Sequence, residues 1–197
     1  MGPEPDLGIN EETMTETTYL MDPTAAGVGL LLGRVMLGAA MAAHGTQKLF
    51  GWFGGSGLEK TGGFLEALGF RPGRAFAAAA SVTEVLSGVL VAFGLLGPIG
   101  PALMLSVMVV AAVTVHWKGG FFAQSNGIEL PFLYTAGALG LALVGPGRFS
   151  LDALLALEWL WAPRVAAVAL AIGLAGAVGN LLARRPMPVP ERARAAS

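Results

Sequence analysis

Long apolar segments are the feature that most constrains this chain. Five of them follow one another between residues 24 and 183, bounded by glycine, proline or charged residues. Crossing a bilayer as an α-helix takes roughly 17–25 mostly apolar residues, and none of the segments shows the period-2 alternation of a barrel strand. Only 13% of the residues are charged, against about a quarter in soluble domains. The sequence therefore predicts an all-α membrane protein.

The predicted spans differ in length. They cover about residues 24–50, 75–96, 101–117, 129–144 and 164–183. The fourth is marginal because Pro146 stops it early, so it spans only where the bilayer thins or its ends are buried in protein. Two connections, 58–70 and 150–161, predict amphipathic pieces at the membrane interface. The second opens with Ser150 as a helix cap, and Asp152 is interpreted as a turn residue after it.

The chain divides into four predicted parts. Residues 1–22 carry six acidic residues and no lysine or arginine, which predicts a disordered acidic tail without the basic region of a signal peptide. Residues 23–161 form the helical membrane bundle, 162–184 a C-terminal membrane helix and 185–197 a basic disordered tail. Lysine and arginine are concentrated on one side of the five spans. The positive-inside rule then predicts a cell-membrane protein with its N-terminus outside and its C-terminus in the cytoplasm.

Composition also excludes several functions. The chain has no cysteine, which excludes disulfides, thiolate catalysis and cysteine-ligated zinc or iron–sulfur sites. The net charge of −1 offers nothing to nucleic acid, so the predicted surroundings are the lipid bilayer. No covalently bound cofactor is predicted. Redox chemistry, if present, must come from a noncovalent cofactor, a metal or a partner protein.

Arg34 and Glu84 lie deep within the first two spans. Counted from His44 and Ala75 at 1.5 Å per residue, their depths are about 15 Å and about 13 Å from the same membrane surface. An ionised side chain at such depth costs several kcal/mol unless it is paired. The sequence predicts an Arg34–Glu84 ion pair, and two roles stay open for it: fixing the helix register or taking part in chemistry.

A polar stripe runs along the first span. At 100° per residue, Arg34, His44 and Lys48 fall on one side of the helix, which must face the bundle interior or a wet cleft. The second, third and fourth spans bring further polar residues to the same end. The candidate residues for binding a polar or anionic headgroup are Arg34, His44, Lys48, Glu84, His116 and Glu129. Each also has an ordinary explanation, such as snorkelling of Lys48 or a helix-dipole contact for Glu129.

Small residues predict close helix packing in two places. Gly29 and Gly33 are four apart in the first span, and Ala169, Gly173 and Ala177 are four apart in the fifth. Such spacing lets helices approach closely in lipid. The stripe in the fifth span is predicted to dock a partner subunit or a second copy of the chain.

The same residues carry a resemblance to a known family. The chain resembles the DoxX family in Gly33-Arg34, His44-Gly45 and Lys48-Leu49, in Glu84 within ASVTEVLSGVLVAFGLL, in His116, in GFF with Glu129, and in GPGRFSLDALL. The resemblance covers roughly residues 28–155 and implies a four-helix membrane bundle, to which the fifth helix is an addition. Members have been linked to quinone-dependent oxidation of sulfur compounds and to membrane oxidoreductase complexes. The resemblance therefore implies a quinone as candidate cofactor and a redox enzyme as candidate partner.

Several functions stay open at this point. In the first, the chain is a membrane subunit of a quinone-linked oxidoreductase, whose cations balance negative charge while the histidines and Glu84 exchange protons. In the second, it is a non-catalytic scaffold or assembly subunit. In the third, His44, His116 and Glu129 hold iron or haem, although no tight ligand spacing supports this and no metal site is predicted. A small-solute transporter is a further alternative, disfavoured by the lack of an internal repeat.

Overall fold

The computed structural model describes residues 23–185. The predicted tail of residues 1–22, and all but the first residue of the predicted tail 185–197, lie outside the described residues. Within the described part the chain forms seven α-helices and no strand. They are α1 (Pro23–Phe50), α2 (Gly57–Ala67), α3 (Gly73–Phe93), α4 (Ile99–Ala111), α5 (Glu129–Val144), α6 (Leu151–Leu154) and α7 (Pro163–Ala183).

Four of these helices have the length and composition of membrane spans. They are α1, α3, α7 and α4 together with the turns that extend it to Gly119. The extension consists of a π-helical turn at Ala112–His116 and a 3-10 turn at Trp117–Gly119. The apolar helix α5 has 16 residues, which gives a length of about 24 Å at 1.5 Å per residue. The protein is therefore an all-α membrane protein, which confirms the predicted fold class.

Helix α5 runs antiparallel to α1 over most of its length. The rings of His44 and Tyr134 lie 5.8 Å apart, edge to face, near the end of the bundle that contains Lys48. At the other end of α5, a Cβ added to Gly147 would lie 3.1 Å from Leu30. The short α5 thus returns the chain to the end where α1 begins. These two ends of the bundle are hereafter the Lys48 end and the Asp152 end.

Helix α7 returns the chain to the Lys48 end. There the backbone N–H of Arg185 donates to the carbonyl of Gly69, 2.8 Å away. Five helices therefore run between the two ends of the bundle, and the described chain begins and finishes at opposite ends. The assignment of the Lys48 end to the cytoplasm stays a prediction.

Helices α1 and α3 pack closely through small residues. A Cβ at Gly38 would lie 2.6 Å from the backbone nitrogen of Ala92, and a Cβ at Gly45 would lie 2.7 Å from the carbonyl oxygen of Ser81. Gly38 and Gly45 are seven residues apart, or about two helical turns, so one face of α1 remains in contact with α3. Both glycines are buried. Only residues without a Cβ permit this approach of the two backbones.

The predicted small-residue contacts turn out differently in the two helices. Gly29 and Gly33 are exposed with nothing within 4 Å of an added Cβ, so their predicted packing role is wrong. Ala177 is fully buried, and a Cβ at Gly173 would lie 3.0 Å from the carbonyl carbon of Ala102 in α4. The α7 stripe therefore packs within the chain, which corrects its predicted use for a partner. Assembly through another face of α7 stays a prediction.

Helix α4 lies at the centre of the bundle, in contact with α3, α5 and α7. The buried core cluster joins four helices and consists of Met41, Val91, Met104, Met108, Tyr134 and Ala138. Methionine is unbranched and adaptable, and in this cluster it fills the irregular space between the helices.

At the Asp152 end, the backbone N–H of Ala153 donates to Ser150 Oγ at 3.2 Å, which confirms the predicted cap of α6.

Candidate functional site

Glu84 is paired with Lys48. The Lys48 ammonium donates a hydrogen bond to Glu84 Oε1 and forms a salt bridge with it. Glu84 is 2% exposed, whereas Lys48 is 37% exposed because its stem reaches in from the Lys48 end. The predicted Arg34–Glu84 ion pair is therefore wrong, although the expectation that Glu84 would be buried beside a cation holds.

The helix register explains the correction. The predicted depths of Arg34 and Glu84 assume that His44 and Ala75 lie at the same level of the membrane. In the structure α1 continues beyond His44 to Phe50, so the two residues are not level. The close approach of Gly45 to Ser81 and Val85 places Glu84 level with about residue 44 of α1. Arg34 is ten residues from that level, so the two charges are separated by about 15 Å along the bundle. Lys48 is the cation within reach.

Arg34 belongs to a separate cluster at the Asp152 end. It is 1% exposed. Its Nη1 donates to the carbonyl of Ala92 at 3.4 Å, and its Nη2 donates to the carbonyl of Phe149 at 2.5 Å. Gly94, which follows the last residue of α3, has a φ of +60°. A Cβ added to Gly94 would overlap the Arg34 guanidinium. Arg34 thus ties α1 to the end of α3 and to the segment after α5.

Asp152 is the residue that the sequence interpretation missed. Its side chain is fully buried. Its carboxylate accepts hydrogen bonds from the backbone N–H groups of Leu96 and Gly97, at 2.9 and 2.7 Å, and from Trp161 Nε1 at 2.8 Å. It also interacts electrostatically with Arg34. Asp152 is therefore a structural anchor of the Asp152 end, and its place in GPGRFSLDALL was the one signal that could have indicated it.

A cleft of about 330 Å³ opens beside the Lys48–Glu84 pair. Residues of α2, of α3 and of α4 with its extension form most of its lining, and α1 and α7 contribute Lys48 and Asn180. Its walls are mainly apolar and include Phe64, Leu65, Phe76, Val107, Val110 and Val115. The charged or titratable residues that line it are Lys48, Glu84 and His116. An apolar cavity with few polar groups is typical of a small-molecule site.

The two carboxylate oxygens of Glu84 differ in their hydrogen bonds. Lys48 occupies Oε1, whereas the buried Oε2 has no hydrogen-bond partner among the described residues. An unsatisfied buried acceptor costs roughly 1–3 kcal/mol, and more when it is charged. Such a group in a native structure needs an explanation, and a ligand or an ordered water supplies one. Glu84 is therefore a lining residue of the cleft whose hydrogen bonding is incomplete.

The other candidate residues have different surroundings. His116 lines the cleft, and its Nδ1 lies 3.0 Å from the carbonyl oxygen of Asn126. Glu129 Oε2 accepts a hydrogen bond from the backbone N–H of Ala123 at 2.8 Å. Both residues thus hold the connection between α4 and α5. His44 packs against Tyr134 and does not line the cleft. The six candidates therefore do not form one site.

The alternative metal site has no support in the geometry. Among residues 23–185, no three or more His, Cys, Asp or Glu side chains are close enough together to hold a metal ion. In particular, the predicted set of His44, His116 and Glu129 is not gathered. His44 contacts an aromatic ring, and the other two contact the backbone between α4 and α5.

The apolar helices define a polytopic membrane protein, and the Lys48–Glu84 ion pair lies beside its mainly apolar cleft. Residues 29–117 match the model of the DoxX family. This confirms the resemblance indicated by the motifs. The match takes in the cleft residues of α1 to α4 but neither α7 nor the GPGRFSLDALL segment. No curated protein and no solved structure matches the chain significantly.

Proposed function

We propose that this protein is the membrane subunit of a quinone-linked oxidoreductase and that the cleft binds the quinone headgroup. The observation that carries the proposal is Glu84. It is a buried carboxylate with one oxygen held by Lys48 and the other without a described partner, in a cleft that is otherwise mainly apolar. This arrangement suits a ring with polar oxygens and an apolar chain better than it suits a freely soluble anion.

The dimensions of the cleft agree with such a ligand. Its lining residues on α4 and the π-helical turn that extends it run from Leu103 to His116, which corresponds to about 20 Å of helix at 1.5 Å per residue. The cleft therefore extends from the Lys48 end well into the apolar depth of the bundle. A headgroup beside Glu84 leaves its chain in contact with the apolar walls.

The residues of the cleft can bind and exchange protons with a quinone. A quinone, when bound, takes up two electrons and two protons as it becomes a quinol. Lys48 donates a hydrogen bond to a ring oxygen of the quinone and balances negative charge there, and the Glu84 carboxylate accepts a hydrogen bond from the ring hydroxyl of the quinol. In this proposal a partner enzyme supplies the electrons.

Binding of a quinone analogue tests the proposal directly. We expect the purified protein in mild detergent to bind decylubiquinone saturably in equilibrium dialysis. A hydrogen bond to a charged group contributes roughly 1.5–3 kcal/mol, so Lys48→Met should weaken binding roughly ten- to a hundredfold. Glu59→Gln is the matched control, because it removes an exposed salt bridge to Arg74 outside the cleft. Equal binding by all three proteins, or by none, would contradict the proposal.

The partner is tested separately by a mild-detergent pull-down from the native membrane with mass spectrometry. A dehydrogenase, sulfurtransferase or oxidase recovered in stoichiometric amount supports the oxidoreductase subunit. A scaffold role instead predicts that Glu84→Gln lowers the amount of assembled complex without changing the specific activity of the partner. Recovery of the protein alone contradicts the assignment to a complex and leaves quinone binding to be decided by dialysis.

A further inference from the structure

Helix α7 packs against α4 beside the cleft. It runs parallel to α4, with Gly173 against Ala102 and Gly176 beside Ser106, where an added Cβ would lie 3.5 Å from Ser106 Oγ. Residues of the DoxX-matched segment form every part of the lining except one. The exception is Asn180 of α7.

The end of α7 is held over the cleft by the α2–α3 connection. Arg184 Nε donates to the carbonyl of Leu68 at 2.5 Å, and the backbone N–H of Arg185 donates to the carbonyl of Gly69 at 2.8 Å. With the Gly173 contact to α4, α7 is fixed at two levels. The position of Asn180 relative to the cleft is therefore set by packing on both sides of it.

Asn180 has spare hydrogen-bonding capacity. Its Nδ2 donates to the carbonyl of Gly176 at 2.9 Å. An amide has two N–H donors and one carbonyl acceptor, so one donor and the acceptor are left for a ligand. An amide on an exposed face of an apolar helix is costly where it has no polar partner. A polar atom in the cleft would offset that cost.

Helix register separates Asn180 from Glu84 in depth. The approach of Gly100 to Leu90 and Val91 places Glu84 level with about Ser106 of α4. Gly176 is also level with Ser106, and Asn180 lies four residues further towards the Lys48 end. The two polar positions are therefore about 6 Å apart along the cleft, a separation suited to oxygens on opposite edges of one ring.

We propose that Asn180 donates a hydrogen bond to a second ligand oxygen and makes the cleft selective for rings with oxygens on opposite edges. This inference rests on the proposed function and adds a specificity-determining residue from outside the DoxX-matched segment. Lys48 of the Lys48–Glu84 pair donates to one oxygen of a para-quinone, and Asn180 donates to the other.

Two probes that differ in the second oxygen test the inference. Decylubiquinone carries ring oxygens on opposite edges, whereas 4-decylphenol carries one. We expect Asn180→Leu to weaken decylubiquinone binding about three- to tenfold, the range for one neutral hydrogen bond, and to leave 4-decylphenol binding unchanged. Lys48→Met should weaken both. Val178→Leu on the same helix is the control, because Val178 is exposed and outside the cleft.

The outcomes separate the inference from the proposed function. If Asn180→Leu binds decylubiquinone as the unaltered protein does while Lys48→Met does not, the inference is wrong and the quinone site stands. If Asn180→Leu weakens both probes equally, Asn180 only shapes the wall and the inference is again wrong. If the unaltered protein binds neither probe, both proposals fail. Asn180→Ser, a smaller change, replaces Asn180→Leu should the latter elute abnormally from size exclusion.

Discussion

Replacing Asp152 with alanine should destabilise the protein more than any other loss of a single acidic side chain among the described residues. The Asp152 carboxylate accepts three hydrogen bonds and is fully buried. Without it, the buried N–H of Gly97 loses its acceptor, at roughly 1–3 kcal/mol. Loss of the acceptor costs less free energy at the part-buried N–H groups of Leu96 and Trp161, because water can reach them. Arg34 also loses an attractive charge, so the total should be roughly 3–5 kcal/mol, as for other broken buried charge networks.

The measurement is unfolding by sodium dodecyl sulfate in mixed micelles, followed by circular dichroism. Asp152→Asn should fall between the unaltered protein and Asp152→Ala, because it retains the shape and one acceptor oxygen. Glu158→Ala is the control, since Glu158 is an exposed acid in the same segment and surface substitutions usually change stability little. The anchor role of Asp152 is refuted if Asp152→Ala unfolds at the same detergent fraction as Glu158→Ala.

Two further predictions concern packing and orientation. Gly38→Ala should lower the free energy of unfolding by roughly 1–3 kcal/mol, as overpacking does, because its Cβ would overlap the backbone of α3. Gly29→Ala is the control and should leave stability unchanged, because its Cβ would have open space around it. The same detergent titration measures both variants, and equal stability of the two would contradict the register of α1 against α3. The chain has no cysteine, so single cysteines report orientation. A membrane-impermeant maleimide should label Glu158→Cys in intact cells and Lys60→Cys only after permeabilisation, and the reverse pattern would place the Lys48 end outside.

The helices themselves could be predicted from the sequence because their signals are local. Apolar runs of membrane length stop at glycine, proline or charge, and the fourth predicted span, 129–144, has the same bounds as α5. The end of the first span at Phe50 is also confirmed. The second span was predicted to continue to residue 96, whereas α3 ends at Phe93 because Gly94 adopts the left-handed conformation. Such conformations are available to glycine at little cost.

The arrangement of the helices could not be predicted because it depends on which small residues face each other. Gly29 and Gly33 have the spacing of a packing motif but are exposed, whereas Gly38 and Gly45 make the contact with α3. The contact through Gly38 and Gly45 sets the axial register of α1 against α3. This register places Lys48, and not Arg34, within reach of Glu84. Asp152 was missed for a related reason. Its donors are distant in sequence or belong to a turn, and no local pattern indicates that they converge.

The two polar clusters differ in how completely their buried carboxylates are hydrogen-bonded. At the Asp152 end, both oxygens of Asp152 accept hydrogen bonds from the protein. At the Lys48 end, Glu84 is almost as deeply buried, yet its Oε2 has no described partner and the residue lines an apolar cleft. Folding stability alone would favour satisfying that oxygen or replacing the residue with an apolar one. The half-satisfied carboxylate beside a cavity is therefore the observation on which the proposed ligand site rests.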